Sequence, residues 1–268
     1  MDYRQIPPPA DLVPYVHYFG ILKSETHSAG EATFRIIADG NPGLVFQQIP
    51  GSFLDGDNNQ LPQVLLHGLT TTHAQKTATG PYCNIVVCFQ PHAIKSVFGI
   101  DAHELTDRCA DVRLLVKNNP GELLQQEGST KQLVAVLSDF IRRQIILNGQ
   151  NENRRIALAI ALLRDDNRWS LARVRSQLNL SERSLERLFS VNVGISPKLF
   201  LRIHRFQAAL NTIRNQCDRP ALTRIAYEYA YADQSHFIRD FKEFAGANPR
   251  QYVTKAYEQV ANFPEWRS

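Results

Sequence analysis

Two polar helix faces, in segments 52 residues apart, carry the side chains of this sequence best suited to contact nucleic acid. In the first segment, Leu185, Leu188 and Phe189 recur at helical spacing and leave the opposite face polar. That face consists of Glu182, Arg183, Ser184, Glu186, Arg187 and Ser190. The matching face consists of Gln234, Ser235, His236, Arg239 and Lys242. Because an arginine guanidinium is a planar fork that suits phosphates and guanine edges, these faces offer binding to nucleic acid.

Each polar face belongs to a repeated pattern of short helix, tight turn and capped helix. The first copy predicts a helix over 171–177, a turn at Asn179 and an N-cap at Ser181; the second predicts a helix over 222–229, a turn over 230–232 and a cap at Asp233. The repeat pairs Leu185, Arg187, Phe189, Gly194, Pro197 and Phe200 with Phe237, Arg239, Phe241, Gly246, Pro249 and Tyr252. One copy alone is more typical of an ordinary helical bundle with a charged surface. Two matched copies favour a pair of helix-turn-helix units, each presenting its second helix to a major groove.

The two units are joined by a segment that reads as one long helix. Ser196 and Pro197 form a start signal, with serine as cap and proline at the first helical position, and Asn248-Pro249 repeats this signal after the second unit. A helix of about 17 residues spans about 25 Å. Such a strut could place two recognition helices on successive major-groove faces, which recur about every 34 Å.

Composition and charge divide the chain into two halves. The length of 268 residues, with 43% hydrophobic and 21% charged residues, predicts two globular domains. Residues 1–149 hold 11 Lys and Arg against 14 Asp and Glu, whereas residues 150–268 hold 19 against 12. The excess of positive charge is therefore C-terminal, as expected of the half that meets DNA.

The periodicity of the sequence also changes between the halves. Short apolar or alternating runs separated by Gly, Pro and Asn fill the first hundred residues, and they predict an antiparallel β barrel or sandwich with flanking helices. Helical spacing starts near Ala93, and the cluster 148–153 marks a boundary. We thus expect an α+β chain with one domain over 1–149 and an all-α domain over 150–268.

Candidate enzymatic chemistry is weak in this sequence. No nucleophile elbow, phosphate-binding loop or HExxH zinc helix occurs, so we expect neither catalysis nor a cofactor. A cupin-like metalloenzyme using His67, His73 or His92 is the alternative, but clustered ligand spacing is missing and an organic-ligand pocket or a surface position suits these residues better. No continuous apolar segment is long enough to span a membrane, and the first residues lack the charged-then-apolar pattern of a secretory signal. Both observations predict a cytoplasmic protein.

The segment from about residue 153 to 252 resembles the DNA-binding domain of the AraC/XylS family of bacterial transcription regulators. The resemblance rests on LSERSLERLFSVNVGISPKLFLRIHRFQAAL and, most specifically, on IAYEYAYADQSHFIRDFKEFAGANPRQY. It implies sequence-specific binding to double-stranded DNA, with RNA polymerase as a further partner. The family usually has glycine in each helix-turn-helix turn, where this chain has Asn179 and Ala230; alanine tolerates a left-handed backbone less well, so we expect a slightly different second turn.

The resemblance also implies which exposed residues reach the DNA. The base contacts that it implies are Arg183, Glu186 and Arg187 on the first recognition helix and Gln234, Ser235, His236 and Arg239 on the second. The phosphate contacts that it implies are Ser181, Arg202, Arg205, Lys242 and Arg250. Pairing of arginine with guanine and of glutamine with adenine is chemically reasonable, while His236 could instead cap a helix or contact phosphate.

The first half more faintly resembles the N-terminal domains of AraC-like regulators. The segments that carry this resemblance are PPPADLVPYVHYFG, IIADGNPGLVFQ and FQPHAIKSVFGIDAHELTD. It implies a domain that senses a small molecule or mediates dimerisation, although a partner-docking module that senses nothing is also possible. The apolar face of the predicted helix over 131–147 suits a position against the barrel better than a homodimer contact.

Overall fold

A computed structural model describes residues 2–25, 32–117, 120–121, 124, 129–148, 154–164, 170–215 and 221–255. The N-terminal part of the fold contains two antiparallel sheets. The strands are β1 (Asp2–Ile6), β2 (Val16–Ser24), β3 (Ala32–Ile36), β4 (Gly43–Gln47), β5 (Phe53–Leu54), β6 (Val64–His67), β7 (Ala74–Ala78), β8 (Tyr82–Phe89) and β9 (Cys109–Asp111). The six-stranded sheet has the order β1-β2-β8-β4-β6-β9 and the three-stranded sheet has the order β3-β7-β5. The prediction of an antiparallel, sheet-rich first domain is confirmed.

The six-stranded sheet is covered differently on its two faces. Side chains that alternate along β4, β6 and β8 point to one face and join an apolar core with helices Ala93–Phe98 and Thr130–Leu147. The core residues from these strands are Leu44, Phe46, Val64, Leu66, Ile85, Val87 and Phe89. The intervening residues, among them Val45, Leu65 and Val86, line a cavity on the other face. One face thus stabilises the domain while the other bounds an internal space.

Helix Thr130–Leu147 packs within the chain, as expected. Ser129 and Gln132 form a capping box at its start, with the Ser129 amide donating to Gln132 Oε1 over 2.7 Å. Its residues Leu137 and Ile141 are fully buried in the core of the first domain. The prediction that this apolar face covers the sheet rather than an exposed surface is confirmed.

The described residues beyond Asp111 form helices, turns and loops. Their α-helices are Val112–Leu115, Thr130–Leu147, Arg154–Arg164, Leu171–Leu178, Glu182–Asn192, Pro197–Asn215, Leu222–Glu228, Gln234–Ala245 and Pro249–Lys255. Those from Arg154 onward share one apolar core, to which Phe189, Phe206, Phe237 and Phe241 contribute fully buried rings. The predicted all-α second domain is confirmed, whereas most of the predicted boundary cluster, residues 149–153, lies outside the described residues.

Both helix-turn-helix turns contain one left-handed residue, and the second turn is one residue longer between that residue and the cap. Asn179 has φ +50° and Ala230 has φ +55°, both left-handed. The Leu180 amide donates to the Arg175 carbonyl over 3.0 Å, and the equivalent Tyr231 amide donates to Ala226 over 2.9 Å. Alanine therefore keeps the left-handed position of the turn; the surrounding structure holds it in a conformation that an L-residue adopts at a cost.

Replacing Ala230 by glycine is expected to stabilise the protein. The left-handed conformation costs an alanine about 1–2 kcal/mol, and the greater freedom of glycine in the unfolded chain offsets about 0.4–1 kcal/mol of the gain. Thermal and urea unfolding should therefore show a net stabilisation of about 0.5–1 kcal/mol. Ala232→Gly is the matched control, because Ala232 lies in the same turn without a positive φ, and glycine should destabilise there. Equal destabilisation by both substitutions would contradict this account.

Candidate DNA-binding surface

The first helix-turn-helix unit consists of helices Leu171–Leu178 and Glu182–Asn192. Ser181 caps the second of these, because its Oγ accepts a hydrogen bond from the Ser184 amide over 3.2 Å. Arg175, on the first helix, donates to the Glu182 carboxylate over 2.9 Å and links the two helices across the turn. The predicted cap, turn and helices are confirmed to within a residue.

The second unit repeats this construction with different side chains. Its helices are Leu222–Glu228 and Gln234–Ala245, and Asp233 Oδ1 accepts from the His236 amide over 2.7 Å as the cap. Thr223 Oγ1 donates to Gln234 Oε1 over 2.7 Å, which again links the first helix to the start of the second. Each recognition helix is thereby fixed at its amino end, the end from which such helices contact base edges.

Burial separates the two faces of each recognition helix as predicted. Leu185 and Phe189 are buried in the first, and Phe237 and Phe241 in the second. The exposed residues of these helices include Arg183, Glu186, Arg187, Ser235, Arg239 and Lys242. Arg187 and Arg239 hold equivalent positions in the repeat, and within the described ranges neither forms an ion pair. The fold thus presents one guanidinium at the same place on each recognition helix.

Two of the predicted base-contact residues also have partners inside their own unit. Gln234 is half-buried and accepts the Thr223 hydrogen bond. His236 is half-buried, its ring meets Tyr231 edge-on at 5.4 Å between centroids, and its Nε2 lies 3.9 Å from Asp240 Oδ1. These contacts restrict the side chains, so Arg239 and Ser235 are the more accessible residues of the second helix.

Arg202 and Arg205, predicted from the resemblance as phosphate contacts, face the second unit instead. Arg202 Nη2 donates to Asp240 Oδ1 over 2.8 Å and to Glu243 Oε2 over 2.7 Å, and its guanidinium lies 5.1 Å from the centre of the Phe244 ring. Arg205 is half-buried and donates to the Ala230 carbonyl over 3.3 Å. Both guanidinium groups link the linker helix to the second unit, and their predicted contacts with phosphate remain a prediction. Ser181, Lys242 and Arg250 are exposed.

The linker helix, Pro197–Asn215, belongs to the cores of both units. Its 19 residues span about 28 Å, slightly more than expected, and Ser196 Oγ caps it by accepting from the Leu199 amide over 3.1 Å. Near one end Phe200 meets Phe189 of the first recognition helix at 5.7 Å, and further along Phe206 meets Phe241 of the second at 5.3 Å. The two units are therefore held by one rigid element rather than by a loose connection.

The N-terminal domain contacts the carboxyl ends of both recognition helices, at the equivalent glycines of the repeat. Thr106 Oγ1 donates to the Gly194 carbonyl over 2.8 Å. At the second helix, the Ala38 amide donates to the Phe244 carbonyl over 3.2 Å, and His73 lies against Gly246. Gly194 and Gly246 have φ +93° and +69°. Sequence reasoning recognised these glycines as part of the repeat but missed that they are contact points between the domains.

The histidines proposed for a metal site lie apart in the fold. His73 Nδ1 donates to the Glu243 carbonyl over 3.2 Å and belongs to the domain contact. His92 is buried at the start of helix Ala93–Phe98, where burial lowers its pKa to about 4. His67 lines the cavity between the sheets, and burial lowers its pKa as well. Among the residues that the structure describes, no cluster of three His, Cys, Asp or Glu side chains could hold a metal ion.

The cavity lies between the two sheets and reaches the linker helix. It has a volume of about 210 Å³ and a mainly apolar lining. Gln207 and Arg214 of the linker helix complete a wall that is otherwise formed by the N-terminal domain.

No helix in the described part of the chain is both long and apolar enough to cross a membrane.

These features define a double helix-turn-helix DNA-binding domain that follows a sheet-rich domain. Residues 174–255 match a family model described as a helix-turn-helix domain, and residues 4–111 match one described as a domain of unknown function, DUF6597. An uncharacterized HTH-type transcriptional regulator of Haemophilus influenzae is 26% identical over 118 residues, which are 44% of this chain and 39% of that protein. The HTH-type transcriptional activator RhaS of Escherichia coli is 26% identical over 148 residues, which are 50% of this chain and 52% of RhaS. Residues 174–255 are thus a helix-turn-helix domain.

Two solved structures align with the chain at TM-scores below 0.5. ToxT from Vibrio cholerae matches with a TM-score of 0.48 and 13% identity, over 88% of this chain and 97% of ToxT. A probable AraC family transcriptional regulator from Rhodopseudomonas palustris matches with a TM-score of 0.36 and 19% identity, over 39% of this chain and 98% of that one. The chain spans about half or less of the length of the curated relatives named above.

Proposed function

We propose that this protein is a transcription regulator that binds duplex DNA sequence-specifically through its two helix-turn-helix units. The observation that carries this proposal is the pair of equivalent recognition helices, each presenting an exposed arginine and both held by one linker helix. Arg183, Glu186, Arg187, Ser235 and Arg239 are the principal base-contact residues, with Gln234 and His236 restricted by their own partners. The regulator acts in the bacterial cytoplasm, and RNA polymerase is its second macromolecular partner.

Selection of bound genomic fragments tests the proposal directly. A sequence-specific regulator enriches a recurrent motif, because base contacts discriminate each position of its site by about 1–3 kcal/mol. Two recognition helices held by one linker helix require two half-sites on the DNA, at a fixed spacing of about one turn of the double helix. Recovery of fragments without a shared motif would contradict sequence-specific binding.

Affinity for duplex DNA is expected to fall steeply with salt, because basic side chains that neutralise phosphates release condensed counterions. Lys242 is exposed on the second recognition helix, and Lys242→Ala should reduce the slope of log K against log salt concentration by about 1. Titrations by fluorescence anisotropy at several salt concentrations measure this slope. Lys131→Ala removes the same charge from an exposed position on the N-terminal domain and should leave the slope unchanged. Identical slopes for both variants would exclude Lys242 as a phosphate contact.

We further propose that the N-terminal domain senses a small molecule in the cavity between its sheets. Support comes from the position of the cavity, since residues of the linker helix form part of its wall and a bound molecule would contact both domains. A ligand that binds the native state raises its stability as the ligand concentration passes the dissociation constant. A metabolite screen by thermal shift therefore separates a sensor from a docking module that binds no small molecule.

A further inference from the structure

Two buried amide side chains lie side by side on the cavity wall, and they differ in their hydrogen bonding. Gln47 and Asn84 are register partners on the adjacent strands β4 and β8, and they are 1% and 2% exposed. Gln47 Nε2 donates to the carbonyls of Leu61 and Pro62 over 3.0 and 2.9 Å, and its Oε1 accepts from Ser52 Oγ over 3.1 Å. Asn84 Oδ1 has no hydrogen-bond partner among the described residues.

An unsatisfied buried amide is unfavourable unless something else requires it. Buried polar groups in native proteins are nearly always hydrogen-bonded, and the exceptions call for an explanation such as a bound ligand. On the same wall Asn84 has the apolar neighbours Val45, Leu65 and Val86, and the amide of Gln47 is engaged by Ser52, Leu61 and Pro62. The cavity is therefore the place from which a partner for Asn84 can come.

Two further side chains in the wall, His67 and Asp39, offer hydrogen-bond acceptors, while Lys76, Arg108 and Arg214 are cationic donors in the same lining. His67 Nδ1 donates to the Gly68 carbonyl over 3.1 Å, which leaves Nε2 as the acceptor of the neutral ring. Burial lowers the pKa of His67 and so favours the neutral form. The Asp39 carboxyl, in the same lining, accepts from the Asn41 amide over 3.0 Å. A ligand that supplies a hydrogen-bond donor matches the acceptors of Asn84, His67 and Asp39.

We propose that the cavity binds a small, mainly apolar ring compound whose N–H or O–H donates to Asn84. This inference rests on the proposed role of the N-terminal domain as a sensor and names the ligand class and the residue that recognises it. Apolar cavities of about 150 Å³ hold benzene, so the 210 Å³ found here admits a molecule about the size of indole. Specificity then depends on Asn84, because a ligand without the donor leaves the amide unsatisfied.

Indole and 1-methylindole test the proposal on the full chain, since they differ by a methyl group that removes the donor. Calorimetric titration should show indole binding at least about tenfold more tightly, the ratio expected for loss of one buried hydrogen bond. Asn84→Leu should abolish this preference. In the absence of a probe, Asn84→Leu should also raise Tm by about 2–8 °C, because it removes an unsatisfied buried amide.

Gln47→Leu is the matched control on the adjacent strand. It should lower Tm, since Ser52 and the carbonyls of Leu61 and Pro62 lose their partner. A fall in Tm for Asn84→Leu similar to that for Gln47→Leu would assign Asn84 a structural role and overturn the proposal. Equal binding of the two probes, or no binding of either, would overturn it as well. DNA binding by the wild-type protein is measured in a separate titration. A negative result for ligand binding in the cavity is therefore distinct from a failure of the proposed regulator function.

Discussion

Replacement of Arg187 or Arg239 by alanine is expected to cost about 1–3 kcal/mol of operator affinity each, if each guanidinium contacts a guanine edge. The two residues lie at equivalent positions on different recognition helices, so the two losses should add in the double variant. That addition predicts a loss of about 2–6 kcal/mol, the largest effect on DNA binding expected from two side chains. Anisotropy titration with an operator fragment taken from the genomic selection measures it.

A scrambled duplex of the same length separates base contacts from phosphate contacts. Loss of a base contact weakens operator binding much more than binding to the scrambled duplex, whereas loss of a phosphate contact weakens both equally. Arg143→Ala is the charge-matched control, because Arg143 is exposed on helix Thr130–Leu147 of the N-terminal domain. If Arg187→Ala and Arg239→Ala behave like Arg143→Ala, neither residue contacts the operator.

The local parts of this fold and site could be predicted because their causes lie within a few residues. Ser181 and Asp233 each cap the helix that follows them, and apolar residues three and four positions apart define its buried face. The repeat then strengthens each local signal, since two copies with matched caps and glycines are improbable in an unrelated bundle. The second turn differs as expected, being one residue longer, but Ala230 keeps the left-handed conformation because its neighbours hold it there.

The rest could not be predicted because it depends on contacts distant in sequence. Strand β7 has the sequence AQKTA, which carries little apolar signal and becomes a strand by pairing with β3 and β5. From the sequence alone Arg202 is expected to be a surface arginine. Its partners Asp240 and Glu243 lie about 40 residues later, and only the fold brings them beside it. The unsatisfied amide of Asn84 is likewise visible only when all the neighbours of β8 are known.

The contact between the domains leads to the largest expected effect on stability, which is that of Gly194→Ala. A Cβ on Gly194 would lie 2.5 Å from Thr106 Oγ1 and 2.8 Å from the backbone oxygen of Ala102, too close for either atom to remain in place. The left-handed φ of +93° adds about 1–2 kcal/mol for any L-residue, and overpacking typically adds about 1–3 kcal/mol. Urea unfolding should therefore show a loss of about 2–5 kcal/mol.

Two other glycines separate the causes of that loss. Gly246 has a similar left-handed φ of +69°, and the three atoms nearest to a Cβ there all belong to the ring of His73, an exposed side chain that can shift if its hydrogen bond to Glu243 is given up. Gly246→Ala should thus show mainly the backbone cost, about 1–2 kcal/mol. Gly80 has nothing within 4 Å of its Cβ position and no positive φ, so Gly80→Ala should be nearly neutral. A loss for Gly194→Ala no greater than for Gly246→Ala would mean that the two domains can separate at Thr106 at little cost, and that the first recognition helix is not fixed by the N-terminal domain.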